Sequence, residues 1–156
     1  MPIERSNIHP SVKIWQPTLV NIYDSEIGEH TKIAAFVEIG GAKIGQHCKI
    51  EAFVYVPPGS VIEDYVFLGP HACICNDKYP NLLLPSWEVR PVHIKRGARI
   101  GAGAVILSGV EVGEEAMVGA GAVVTRNVPP KTIVYGNPAR VVNPVGDDLG
   151  GDYGND

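Results

Sequence analysis

Every sixth residue of this chain is aliphatic over long stretches. Counting from Ile44 gives Ile44, Ile50, Val56, Ile62, Leu68 and Ile74, and counting from Ile94 gives Ile94, Ile100, Ile106, Val112, Val118 and Val124. Four residues after each aliphatic stands a small or β-branched residue: Cys48, Val54, Ser60, Val66 and Ala72, then Ala98, Ala104, Val110, Ala116, Ala122 and Val128. Glycine often follows the aliphatic directly, as at Gly45, Gly69, Gly101, Gly113 and Gly119. An N-terminal series, Ile8, Ile14, Val20, Ile27, Ile33 and Ile39, keeps the spacing with one extra residue before Ile27, and one residue is missing before Ile44.

A period of six is neither the helical period nor bare strand alternation. It fits a short strand plus a turn, with two inward residues per unit. Three such units close a triangular coil of 18 residues, and coils stacked about 4.8 Å apart pile their aliphatic side chains into one continuous core. Glycines and small residues suit the corners, where the backbone bends and φ can turn positive. An ordinary β-sandwich has no reason to hold a fixed period. The expectation is an all-β parallel β-helix over residues 1–145. The period leaves its hand open, and the usual crossover preference is right-handed.

The repeat breaks once in its second half. The step from Ile74 to Ile94 is 20 residues, which no multiple of six fits. Residues Asn76 to His93 are therefore expected as a loop thrown out of the helix. It is rich in proline and carries Tyr79, Trp87 and Arg90. A loop this long on a rigid scaffold is usually functional; an arm packing Leu82, Leu83, Leu84 and Trp87 on a neighbouring subunit is the other reading, and the two are compatible. Residues 146–156, GDDLGGDYGND, are acidic and glycine-rich, the composition of a disordered tail.

The formal charge is −4, from 13 Lys and Arg against 17 Asp and Glu. No basic field is present, which argues against nucleic acid as a partner, and no apolar run reaches the length of a membrane span. The N-terminal ten residues hold no apolar signal core. Three cysteines, two of them at 73 and 75, do not form a disulfide framework and point to a reducing cytoplasm.

The stretches IWQPTLVNIYDSEIGEHTKIAAFVEIGGAKIGQHCKI, EDYVFLGPHACICNDKYPN, VHIKRGARIGAGAVILSGVEVGEEAMVGAGAVVTRNVPP and YGNPARVV resemble the hexapeptide-repeat sugar-nucleotide N-acetyltransferases. The resemblance spans about Ile8 to Val142, with Asn76 to Pro80 its most specific element. It implies a left-handed β-helix and a homotrimer with sites between subunits. It also implies transfer of an acetyl group from acetyl-CoA to the amine of a UDP- or dTDP-linked amino sugar. Two departures bear on the substrate. Relatives often carry Asn-Asn or Ser-His where this chain has Ala52-Phe53, and an arginine where it has Asn81.

Acetyl transfer to an amine needs a neutral amine, a held thioester and oxyanion stabilisation, but no metal or protein nucleophile. Asn76 matches the family position that contacts the amino sugar at the reaction centre; its carbonyl can accept an N–H from the amine and orient the lone pair. It can also simply open the loop turn. Asp77 can stabilise a developing ammonium or cap the loop. His71, at an outward corner shortly before Asn76, is the candidate base, or a solvated corner histidine. Glu51, Phe53 and Tyr79 are the candidate sugar-binding residues, Glu51 stacking one coil below Gly69.

Gly101-Ala102 and Gly119-Ala120 lie 18 apart and stack on one wall. In the family the pantetheine arm runs along such a groove. Arg126, Lys131 and Arg140 are candidates for the CoA phosphates, and Gly136-Asn137-Pro138-Ala139 resembles the turn beside the adenine. γ-Class carbonic anhydrases share the fold but need convergent histidines. Here the histidines fall at 9, 30, 47, 71 and 93 with no close pair, so no metal is expected. Two other functions stay open: acetyl transfer to another small amine or hydroxyl, and a non-catalytic scaffold subunit.

Overall fold

Two-residue strands recur along the whole chain and stack into three parallel sheets, one on each side of a triangular solenoid. The structure, a computed structural model, describes residues 2–86 and 88–144, with backbone alone at 143 and 144. Trp87 and the 146–156 tail, both named in the sequence reading, lie outside the described residues.

The first face stacks seven strands: Ile3–Glu4, Asn21–Tyr23, Glu38–Gly40, Tyr55–Val56, Cys73–Ile74, Val105–Ile106 and Val123–Val124. The second stacks Asn7–Ile8, Glu26–Ile27, Lys43–Ile44, Val61–Ile62, His93–Ile94 and Glu111–Val112. The third stacks Lys13–Ile14, Lys32–Ile33, Lys49–Ile50, Phe67–Leu68, Arg99–Ile100, Met117–Val118 and Thr132–Tyr135, and Arg140–Pro144 then folds back antiparallel over its open edge. Pairing that edge removes a row of free backbone donors and acceptors.

The register is aliphatic on aliphatic. Ile44, Ile62, Ile94 and Val112 form one column, and Ile50, Leu68, Ile100 and Val118 another. The residues four places on are equally buried. Ala98, Ala104, Ala116 and Ala122 are fully enclosed, so each six-residue unit turns two side chains inward. Buried hydroxyls find partners within the corners: Ser60 Oγ donates to the Pro57 carbonyl at 2.7 Å, and Thr31 Oγ1 donates to that of Gly45 at 2.8 Å. Both bonds meet the requirement that buried polar groups be satisfied.

The N-terminal register differs from the sequence reading at one place. Ile22, not Val20, pairs with Ile39 and with Ile3. A 3-10 turn at Pro17–Leu19 lengthens that corner, and Val20 drops into the inner position otherwise filled by Val37 and Val54. Both residues are buried and aliphatic, so period alone does not separate them. The loop is also shorter than expected at its far end. Val92 is fully buried and His93 already pairs with Val61, so the excursion closes at Pro91.

Corners carry left-handed backbone at Gly41, Gly59, Gly97, Gly103, Gly109 and Gly121, but also at Phe36, His47, Phe53, Tyr65 and His71. The glycines that follow the aliphatics serve a different need. A Cβ on Gly101 would stand 2.5 Å from the backbone nitrogen of Ala120, so the next coil passes too close for any side chain.

Candidate functional site

The corner where the third face turns into the first gathers most of the predicted residues. Its lower part is a ladder of rings. Phe36 and Phe53 stack at 4.9 Å between centroids and 18° between planes, and Phe53 and His71 at 4.7 Å and 5°. Coil spacing makes this ladder, because the three residues hold equivalent left-handed positions on successive coils. The next two positions up the corner are Gly103 and Gly121, and a Cβ there would meet nothing within 4 Å. Beside them Ala102 and Ala120 are exposed. Gly103 N–H donates to Pro70 and Gly121 N–H to Ala102, both at 2.8 Å, so the ledge is rigid backbone. Of the predicted wall, Ala102 and Ala120 are open beside these steps, while Gly101 lies against the Ala120 backbone and Gly119 is buried under the Tyr135 ring. The Gly136–Ala139 turn, with a cis bond before Pro138, caps the ledge, held by Val123 N–H to Gly136 and Ala139 N–H to Val123.

Asn76 stands at the opposite edge of the first face. Its Nδ2 donates to the Pro58 carbonyl at 3.1 Å, which fixes the amide plane at the loop base. Its own carbonyl accepts from Arg90 N–H at 2.8 Å and closes the loop. Asp77 Oδ1 accepts from Tyr79 N–H at 3.0 Å, the turn-capping role weighed above. Tyr79 is exposed and, with Asp77, Lys78, Asn81, Leu84, Ser86, Glu88 and Arg90, lines a pocket of about 170 Å³. Pockets for small ligands usually measure ~300–1,000 Å³, so this pocket, lined by the described loop residues, is smaller than such a site. Within one chain His71 and Asn76 stand at opposite ends of the Cys73–Ile74 strand, five residue steps apart, a reach of at most about 17 Å.

Glu51 occupies the step below Gly69 and Pro70, as expected, and pairs with Lys49 Nζ at 2.9 Å. Of the three basic candidates, Arg126 and Arg140 line one pocket of about 140 Å³ with Val124, Val134 and Ala139. Lys131 does not join them. It sits at the corner between the second and third faces, 3.7 Å from Glu115.

Sequence reasoning missed the rings as a set. Phe36, Phe53 and His71 are spaced by 17 and 18 residues, one coil each, and a search at coil spacing would have found them. The same spacing gives a second ladder on another corner, where His30, His47 and Tyr65 stack at 5.0 Å and Arg96 lies over Tyr65. Among the described residues no group of three or more His, Cys, Asp or Glu converges on a point where a metal would bind. No helix among them is long and apolar enough to cross a membrane.

Three-sided parallel stacking with a period of six defines a class, and comparison with known proteins agrees with it. The bacterial transferase hexapeptide family (six repeats) matches residues 41–76 and 91–126, and the gap falls on the loop. The chain belongs to this hexapeptide-repeat family. It is 58% identical over 48 residues to the dTDP-3-amino-3,6-dideoxy-alpha-D-galactopyranose 3-N-acetyltransferase of Aneurinibacillus thermoaerophilus, a match covering 31% of this chain and 25% of that one. It is 56% identical over 52 residues to the 2,3,4,5-tetrahydropyridine-2,6-dicarboxylate N-acetyltransferase of Staphylococcus aureus, covering 33% and 22%. Among solved structures, a hexapeptide-repeat-containing acetyltransferase from Vibrio cholerae O1 biovar eltor, crystallised with acetyl coenzyme A, superimposes with a TM-score of 0.73 at 26% identity, covering 80% of this chain and 73% of that one. The chain spans less than half the length of the curated relatives it matches.

Proposed function

We propose that the chain is an acetyl-CoA-dependent N-acetyltransferase acting on the amino group of a nucleotide-linked amino sugar. The observation that carries this reading is the stepped strip of Ala102, Gly103, Ala120 and Gly121 above His71, where the only side chains are methyl groups and a Cβ on either glycine would meet nothing within 4 Å. A pantetheine arm is long, narrow and full of amides, and suits such a strip. The identity to a dTDP-amino-sugar N-acetyltransferase supports the acceptor class.

In this reading the phosphates lie by Arg126 and Arg140, the arm descends past Ala120 and Ala102, and the thioester arrives at the His71 step. Asn76 orients the attacking amine through its Oδ1, since its Nδ2 is already given to Pro58. The loop pocket of one chain is too small for the acceptor, and His71 and Asn76 stand on opposite edges of one face. A homotrimer in which the loop of one subunit covers the strip of the next joins the two halves. Phe53 replaces the polar or histidine group of relatives and lays an apolar ring under His71. The reaction needs no metal, and the setting is cytoplasmic.

A second reading has its own observation. The tetrahydropyridine dicarboxylate N-acetyltransferase is nearly as similar over a comparable stretch. Both relatives are named for N-acetylation, and they differ in acceptor. A thermal-shift screen of UDP- and dTDP-amino sugars and of amino- and imino-dicarboxylates, with CoA present, tests between them. A bound acceptor raises apparent stability by mass action. Stabilisation by an amino-sugar nucleotide supports the reading, and stabilisation only by an amino- or imino-dicarboxylate replaces it.

A further inference from the structure

The lower half of the site corner exposes large apolar side chains that acetyl transfer, as described above, does not need. Phe53 is 50% exposed, Phe36 on the coil below it 51%, and Leu19 on the next coil down 44%. Both rings hold left-handed backbone, with φ of 62° at Phe36 and 64° at Phe53. That conformation favours glycine or asparagine over a bulky residue. The main chain fixes the rings there: Phe36 N–H donates to the Leu19 carbonyl at 2.7 Å, and Phe53 N–H to that of Ala35 at 3.3 Å. Two phenylalanines kept exposed on backbone that disfavours them mark a contact surface.

Position identifies the occupant. In the acetyl-CoA reading the pantetheine arm descends past Ala120 and Ala102 and brings its thioester to the His71 step. Phe53 is the next rung down, 4.7 Å from His71 between centroids, and Phe36 follows 4.9 Å further on. The ladder therefore prolongs the line of the arm beyond the thioester carbon. Stacking at 5° and 18° uses the ring faces on one another, so ring edges are what the corner turns outward. A nucleobase stacks on a free ring face, whereas a methylene chain lies across edges equally well. Ala35 and Ala52, beside the rings, add no bulk, and Glu51, two residues before Phe53, is ion-paired with Lys49 Nζ at 2.9 Å. We propose that the ladder is an acyl track, and that the donor site takes CoA thioesters of linear acyl groups of about four to eight carbons besides acetyl. This rests on the acetyl-CoA reading of the strip.

The ladder acts as a ruler. Single carbon–carbon bonds of ~1.5 Å advance an extended chain by about 1.3 Å each, so one rung of about 4.8 Å takes roughly four carbons. An acetyl group ends at the His71 step, a butanoyl group reaches Phe53 and an octanoyl group reaches Phe36. Full burial of one methylene is worth roughly fourfold in affinity. One-sided contact with half-exposed rings gives about half of that free energy, which is about twofold per methylene. The transfer balances as it does for acetyl. The amine nitrogen attacks the thioester carbonyl carbon, the bond from that carbon to sulfur breaks, and CoA leaves as a thiolate that takes up the proton the amine loses. The product is a longer amide on the same acceptor.

The test uses the whole protein with no amine acceptor. Calorimetry gives Kd for acetyl-, butanoyl-, hexanoyl- and octanoyl-CoA on the native chain, on Phe53→Asn and on Phe36→Asn. Asparagine tolerates left-handed backbone, so both variants should keep the corner; the native series decides alone if one fails to fold. The proposal predicts affinity that rises with length, hexanoyl-CoA binding on the order of tenfold more tightly than acetyl-CoA. In Phe53→Asn the ratio of hexanoyl to acetyl affinity should fall toward one. In Phe36→Asn the gain as far as butanoyl should remain, and the gain from hexanoyl to octanoyl should disappear. A flat native series with acetyl-CoA bound normally overturns the proposal and leaves the acetyl-CoA reading standing; it is the result expected if the loop of the next subunit covers the rings. A rise with length that both variants retain also overturns it, because the chain then lies elsewhere. Absence of binding by every acyl-CoA overturns both readings.

Discussion

Truncation of Asn76 separates a structural side chain from a functional one. In Asn76→Ala the Nδ2 bond to the Pro58 carbonyl is lost. The bond from Arg90 N–H is kept, because it goes to the Asn76 main chain. The site is half-exposed and water can reach the freed carbonyl, so the stability cost is that of one ordinary hydrogen bond, about 1 kcal/mol. That is far below the ~5–15 kcal/mol that holds a typical domain folded, and the variant should fold. Activity should fall much further. If the Oδ1 aims the amine, losing it leaves the nucleophile free to rotate, and such misplacement costs on the order of 10²-fold. The assays are urea denaturation for stability and kcat/KM for acetyl transfer. Near-normal turnover in the folded variant would show that Asn76 only ties down the loop. A stability loss of several kcal/mol would show that the loop base matters more to the fold than its bonds indicate.

Other variants probe the remaining parts. Ala120→Trp should leave stability unchanged within ~0.5 kcal/mol, as exposed substitutions usually do, while abolishing acetyl-CoA binding by calorimetry; normal affinity would move the pantetheine path elsewhere. His71→Ala should lower turnover only a few-fold if the amine arrives neutral, and a loss of about 10²–10⁴-fold would make the imidazole a general base. Gly101→Ala should destabilise by about 1–3 kcal/mol, because its Cβ would press on the Ala120 backbone at 2.5 Å and overpacking has that cost. By light scattering the active species should be a trimer, and a stable, active monomer would end the shared-site account.

The solenoid was legible because its core is a column of like side chains, and a column seen along the chain is a period. Ile44, Ile62 and Ile94 could be stacked on paper before their strands were known. The hand was not readable this way and came from resemblance. The Val20 and Ile22 exchange was not legible either, since both residues are buried aliphatics and a 3-10 turn absorbs the difference. Corner chemistry was legible only in part. Left-handed backbone suggests glycine, yet the glycines that follow the aliphatics are not the left-handed ones; Gly103 and Gly121 are, and Phe53 and His71 adopt the same conformation and disclose it only through their coil spacing. Asn76 and His71 are five residues apart in sequence and look adjacent. Across the first face that interval becomes a full width, and the proposed site therefore draws on a second chain.

The central claim is acetyl transfer from acetyl-CoA to an amino-sugar nucleotide. Its most direct measurement is CoA release, followed with a thiol reagent, from acetyl-CoA with the purified protein and a panel of dTDP- and UDP-linked amino sugars. The same sugars carrying a hydroxyl in place of the amine serve as controls. The account predicts sustained turnover with at least one amino sugar, none with its hydroxyl counterpart, and loss of turnover in Ala120→Trp. Release of CoA that is independent of the amine, or equal with the hydroxyl sugar, would contradict it.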